Sequence, residues 1–148
     1  MDLQAIMKRV ELFRGLNAGQ LGEVAAISHE QVYEGGATVF EQGSAGDALY
    51  IVGAGQVEVK VRDSWGRSAS AIYLGEGQVF GEMALIDQGT RSASIFVVDE
   101  DTVLYHIPAE DFIDLCTSNT DIGYIMMRNI AQDLSFKLRH HDFNPTAS

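Results

Sequence analysis

The sequence predicts a mainly β fold: an eight-stranded roll, or jelly-roll-like barrel, with helices before and after it. Three observations carry that expectation. The apolar residues recur at helical spacing up to residue 28, switch to a period of two from His29, and return to helical spacing after Pro108. Fifteen glycines against two prolines fall between short apolar runs, where tight turns belong. A length of 148 residues with 46% hydrophobic content suits one domain with a real core, and no repeat or low-complexity segment divides it.

Residues 1–28 read as helical. Leu3, Ile6, Met7, Val10, Leu12 and Phe13 recur on one side, Gly15 breaks the first helix, and Asn17 can cap a second that turns Leu21, Val24, Ala25 and Ile27 inward. Residues 29–108 form the roll. HEQVYE alternates, Gly35-Gly36 turn, and TVFEQ follows as a short strand. ALYIVGAGQVEVKVRD holds two strands, with Gly53 and Gly55 marking a turn or bulge; DSWGR makes a hairpin turn and SASAIYL pairs back. Gly75 and Gly77 lead into VF, and SIFVV and TVLYHI are joined by Asp99-Glu100-Asp101. Residues 109–141 read as two helices. Pro108 suits a first helical turn, with Glu110 and Asp111 complementing the dipole. Asn119 or Thr120 caps the last helix, which runs to about His141 with Ile122, Ile125, Met126, Ile130, Leu134 and Leu138 on one stripe. Residues 142–148 are expected to fray.

Composition narrows the function. A net charge of −11 repels nucleic acid and anionic membranes, so an anionic ligand needs a local site. The start, MDLQAIMKRVELF, does not resemble a signal peptide, and no uncharged apolar run approaches the roughly 20 residues of a membrane span. A cytoplasmic domain is expected. The lone cysteine, Cys116, rules out an internal disulfide and reads as a packed thiol. The four histidines, at 29, 106, 140 and 141, contain no H-x-H pair, so neither a metal nor a cofactor is expected, and a metal-dependent barrel enzyme is disfavoured. A helix-turn-helix with a basic recognition helix is not expected in a chain of this charge ending at Ser148. His106 reads as structural and Trp65 as an exposed turn residue.

The stretch GEMALIDQGTRSAS, residues 81–94, sets Glu82 and Arg91 at either end of an otherwise apolar segment. Gly81 lets a ligand approach the backbone, and Glu82-Met83-Ala84-Leu85 can form one helical turn whose N–H groups face it. Arg91 supplies a planar fork suited to a phosphate, with the Ser92 hydroxyl beside it. Glu82 needs a donor, such as a sugar hydroxyl. One negative phosphate beside a hydroxyl describes a nucleotide with a cyclic phosphate.

FGEMAL-x5-RSAS, residues 80–94, resembles the phosphate-binding cassette of the cyclic-nucleotide-binding domain family. The likeness extends upstream through Gly36, Phe40, Gly43, Asp47, Tyr50, Gly55 and Val57, and covers the chain from Leu12 to about Leu138. It implies that Glu82 accepts the ribose 2′-hydroxyl and that Arg91 holds an equatorial phosphate oxygen. Gly81 and Ala84 would offer backbone contacts, Ser92 a hydroxyl, and Ala93 close packing, with Phe80 and Met83 completing the cassette. Ala37 stands where the family often has an acid. Ser92 is like the catabolite activator branch, whereas the cAMP kinase regulatory subunits have alanine there and the cGMP kinases often threonine. The resemblance implies a sensor rather than an enzyme, with cAMP favoured and cGMP as the other candidate. It also implies base contacts at Phe136, Lys137 and Leu138, and it gives the stripe on the last helix a second reading: the stripe either covers the roll or forms a homodimer seam through Ile122, Met126, Ile130 and Leu134. The effector protein stays unnamed by these residues.

Overall fold

The alternation that begins at His29 resolves into eight antiparallel strands in the computed structural model, which describes residues 2–140. They are β1 (His29–Tyr33), β2 (Thr38–Phe40), β3 (Ala48–Ala54), β4 (Val57–Arg62), β5 (Ser68–Leu74), β6 (Val79–Phe80), β7 (Ser94–Val97) and β8 (Thr102–Pro108). The barrel expectation needs correction. The strands form two four-stranded sheets, ordered β1-β8-β3-β6 and β2-β7-β4-β5, and among the described residues no ladder joins them into a closed cylinder. The roll is therefore a two-sheet stack with free edges, and β5 and β6 are edges of different sheets.

The register explains the burial. β3 is an almost continuous apolar run because both of its faces are covered. Val52 and half-buried Tyr50 face the second sheet, joining Leu104, Phe80, Val57, Val59, Ala93 and Ile95 in the roll interior. Leu49 and Ile51 face the other way and meet Ile107 and the helices. The register of β3 against β8 shifts between Val52 and Ala54, so the bulge expected around Gly53 is present. His106 is paired across the ladder with His29 and Tyr50, its ring 5.0 Å from that of His29.

The N-terminal segment differs from the expected pair of helices. α1 (Leu3–Met7) stops early, a 3-10 turn follows at Glu11–Phe13, and α2 is Ala18–Ala26. Val10, Leu12 and Phe13 are all buried, and no single straight helix points residues at that spacing to one side. Asn17 caps α2 as expected. Its side chain accepts from Gln20 N at 2.8 Å while Gln20 Oε1 accepts from Asn17 N at 2.9 Å.

α3 (Ala109–Ser118) starts right after Pro108, which keeps an extended ψ of 135° and ends β8 instead of forming the first helical turn itself. α4 (Thr120–Arg139) is capped by Asn119, whose side chain accepts from Ile122 N at 3.3 Å. The helices cross closely at Gly123, where a Cβ would lie 2.7 Å from the Cys116 carbonyl oxygen. Of the two readings of the α4 stripe, the structure supports the one in which it covers the chain's own core: Ile122, Met126 and Ile130 are buried there and are not available as a seam in this arrangement. His141 and residues 142–148 lie outside the described residues. No helix among the described residues is long and apolar enough to cross a membrane.

One buried polar residue fixes α4 in place. Asn129 donates both amide hydrogens, to Leu12 O and Arg14 O, each at 2.8 Å. Arg14 in turn donates to Gln132 Oε1 at 2.9 Å and pairs with Asp133 at 3.4 Å. The N-terminal segment and the middle of α4 are thereby tied together. Replacing Asn129 with alanine strands two backbone acceptors, and Asn129→Ala should destabilise the fold by about 2 kcal/mol. Urea unfolding checks this: an unchanged midpoint would mean that the amide contributes nothing.

Candidate functional site

The turn after β6 is shaped by a glycine that no other residue can replace. Gly81 has φ 81° and ψ 18°, and a Cβ there would lie 2.6 Å from Arg91 Nη1 and 3.0 Å from Ala48 O. Glu82–Leu85 then makes the expected helical turn, of 3-10 type, anchored by buried Ala84 and Leu85. Residues 86–90 loop outward, and the return is stitched to the segment before β3. Arg91 N donates to Ser44 O at 2.7 Å, Gly43 N to Arg91 O at 2.8 Å, and Gly46 N to Gly89 O at 2.8 Å.

Arg91 is only 3% exposed. Its Nη2 donates to Ala48 O at 2.8 Å and lies 3.5 Å from Asp47 Oδ1. Nη1 reaches Gly81 O at 3.5 Å, a long contact. The guanidinium carbon sits 4.0 Å from the Phe40 ring centroid and 6.0 Å from that of Tyr50. Among the described residues, Arg91 Nε is the buried side-chain polar atom that has no hydrogen-bond partner. Burial lowers the Arg91 pKa, while Tyr50, Asp47 and Glu82 push it back up. Burial likewise raises Tyr50 and lowers His106, the latter helped by His29. The result is a desolvated cation, backed by aromatic rings, with one donor left unsatisfied.

Phe80 is wholly buried and stacks on Tyr50 at 5.0 Å, so it serves as the wall behind this corner. Ala93 is also wholly buried, Ser92 and Met83 are half-buried, and Ala84 anchors the turn. The cassette residues from Phe80 to Ala93 therefore come together around Gly81 and Arg91.

Glu82 turns toward α4. Its Oε1 accepts from Lys137 Nζ at 3.3 Å. The pair lines a cleft of about 480 Å³ beside the edges of β5 and β6, walled by Leu74 and Val79, by residues 9–12, and by Asp133 and Phe136. Phe136 and Lys137 thus reach the candidate site, whereas Leu138 is outside the cleft lining and mostly exposed. Sequence reasoning missed the Ala48 carbonyl, the N-terminal wall of the cleft, and Asn129. A backbone acceptor carries no side-chain signature, but an asparagine on the apolar stripe of a helix is a readable sign of a buried polar tie. No group of three or more metal-ligating side chains occurs among the described residues.

Comparison with known proteins agrees with this geometry. The family model described as cyclic nucleotide-binding domain matches residues 30–119. The cyclic AMP receptor protein of Thermus thermophilus is 35% identical over 136 residues, covering 92% of this chain and 61% of that protein. The crystal structure of the Thermus thermophilus catabolite activator protein superposes with a TM-score of 0.79 at 34% identity, covering 89% of this chain and 60% of that one. The regulatory domain of Toxoplasma gondii PKA, solved with cAMP, gives a TM-score of 0.70 at 26% identity over 76% of this chain and 42% of that one. The chain thus spans less than two thirds of the length of these relatives. The match runs from β1 to the cap of α4 and includes the whole turn that carries Glu82 and Arg91, and the chain belongs to the cyclic nucleotide-binding domain family.

Proposed function

We propose that this chain is a regulatory sensor that binds a cyclic mononucleotide, with cAMP favoured over cGMP, and that it does no chemistry on it and needs no metal or cofactor. The observation that carries the reading is the buried Arg91 with its unsatisfied Nε at the end of the cassette. A phosphate oxygen satisfies Nε, and Nη1 can redirect from its 3.5 Å contact at little loss. Glu82 is the acceptor for the ribose hydroxyl, and Gly81, Met83, Ala84, Ser92 and Ala93 shape the phosphate corner. Of the three base-side candidates on α4, Phe136 is the contact, lining the cleft beside Lys137. The preference for cAMP rests on Ser92 and on the relative whose name is cyclic AMP receptor protein. The domain is read as cytoplasmic, and its net charge of −11 argues against nucleic acid as a partner of this domain. The effector is a protein or domain that these residues do not identify.

Binding is coupled to α4, because a ligand that touches both the cassette and Phe136 contacts them together in only one helix position. Such a ligand shifts the population toward that position. The homodimer reading moves to a different face of α4. Tyr124, Met127, Ala131 and Leu138 are exposed, Leu134 is half-buried, and the five recur in steps of three and four. That is the a/d spacing of a two-helix seam, and a second copy of α4 fits it.

Three tests follow from this reading. Calorimetry should give micromolar or tighter binding of cAMP, with cGMP weaker. Arg91→Ala should lose about thirty-fold to several thousand-fold in affinity, as expected for about 2–5 kcal/mol from a truncated charged pair. Glu82→Ala should lose less. Arg91 also holds Ala48 O, so a circular-dichroism melt must accompany that variant. A flat trace for wild type with both nucleotides would leave a structural module that keeps the fold without the ligand, and tighter cGMP would reverse the preference alone.

Hydrogen exchange at saturating cAMP should change protection within residues 109–140 while β3, β4, β7 and β8 stay constant. No change in the helices would make the domain a passive binder.

Light scattering should find a dimer that Met127→Glu converts to a monomer. A wild-type monomer at tens of micromolar would remove the seam.

A further inference from the structure

The carboxylate that a sugar hydroxyl needs is already occupied by a cation of the same chain. Glu82 Oε1 accepts from Lys137 Nζ at 3.3 Å, and both side chains line the cleft under the end of α4. We propose that Lys137 is an internal competitor for the ligand, holding the end of α4 against the roll until the sugar displaces it from Glu82. The inference rests on the reading of the site as a cyclic-nucleotide site and names a control built into it.

The way α4 is fastened supports this role. Through Asp133 the helix is tied to the N-terminal segment by Asn129 and Arg14. Beyond Leu134, which still packs against the core, Phe136 and Leu138 are both more than 60% exposed, so little apolar burial holds the last turn. The Lys137 pair reaches across from those turns to the cassette. It acts at a free end, where losing one contact moves a short segment and leaves the core intact.

The energies favour displacement. The Lys137 side chain is 39% exposed, and a pair of that kind is worth about twofold to fivefold in an equilibrium constant. A hydroxyl donating to a half-buried carboxylate is worth more. The lysine therefore sets a threshold and does not block the site. It also has somewhere to go. Asp133 lies one turn earlier on α4 and lines the same cleft. An acid four residues before a lysine is the favoured order for a helical pair. Arrival of a sugar hydroxyl at Glu82 lets the ammonium swing to Asp133, which already carries Arg14. The cation never loses a carboxylate partner, so the exchange has no large desolvation barrier.

The test has one arm without nucleotide and one with it. In the nucleotide-free protein, Lys137→Met should speed hydrogen exchange in residues 134–139, and Lys137→Arg, which keeps the charge, should restore it. In calorimetry with cAMP, Lys137→Met should bind about twofold to fivefold more tightly than wild type, and Lys137→Arg should return toward the wild-type constant. Unchanged exchange in Lys137→Met shows that the pair holds nothing and overturns the proposal. Wild-type binding of cAMP with an equal or weaker constant in Lys137→Met overturns the competitor role and leaves the binding reading standing. If wild type binds neither cAMP nor cGMP, the functional reading itself falls, and any loosening of residues 134–139 then marks Lys137 as a structural tie only.

Discussion

A guanidinium taken out of water dictates most of the local architecture. Arg91 is nearly inaccessible, and a buried charge is tolerated only where donors find acceptors and the charge finds a counter-charge or a π face. Each neighbour answers that demand. Ala48 supplies a carbonyl from the first residue of β3, Asp47 supplies a carboxylate at the solvent side, and Phe40 places its ring face under the cation. The carbonyl of Gly81 approaches from the other strand end, and only a residue without a Cβ leaves room for it. The glycine, the acid and the aromatic lie between positions 40 and 81 of the sequence, yet they serve one ion.

The second constraint comes from Asn129. It buries two donors against backbone oxygens of the N-terminal segment, so the position of α4 over the cassette depends on residues 12–14 as much as on α3. The wall of the cleft at residues 9–12 and the part of its roof at Asp133 are consequently tied together. Any ligand that presses on the roof loads the N-terminal segment too. Coupling between the site and the rest of the molecule therefore has a physical carrier made of named hydrogen bonds.

Much of this was legible in the sequence, and the reasons for the gaps are specific. Strands alternate visibly, so all eight were placed, and the FGEMAL turn and Asn17 carry side-chain signatures that local rules read correctly. Sheet closure has no local signature. Whether β5 pairs with β6 is a matter of distance between edges, and the open stack could not be told from a barrel. The stripe on α4 was read at the right period with two partners left open, the roll and a second copy, because hydrophobic spacing reports that a face is buried and not what buries it. Ile122, Met126 and Ile130 cover the chain's own core, while the fainter run through Tyr124, Met127 and Ala131 is the one left exposed. The fork of Arg91 was read from its side chain alone, and its backbone partners, the Ala48 and Gly81 carbonyls, were invisible to such a reading.

The open edge gives the fold a property that a barrel would lack. A closed cylinder of eight strands fills its interior with side chains and offers no flank by which a helix can approach its contents. Here β5 and β6 part, and residues of α4 stand over the gap close enough for Lys137 to touch Glu82 on the cassette. The core of the roll stays packed on the far side of Phe80, so the gap exposes the site and not the core. A helix that meets the roll at an unpaired edge can shift there without breaking a ladder, whereas movement of a paired strand would break several backbone hydrogen bonds at once. The place where the sheet fails to close is therefore the place where a small displacement is least costly, and it is also where Glu82 of the cassette lies.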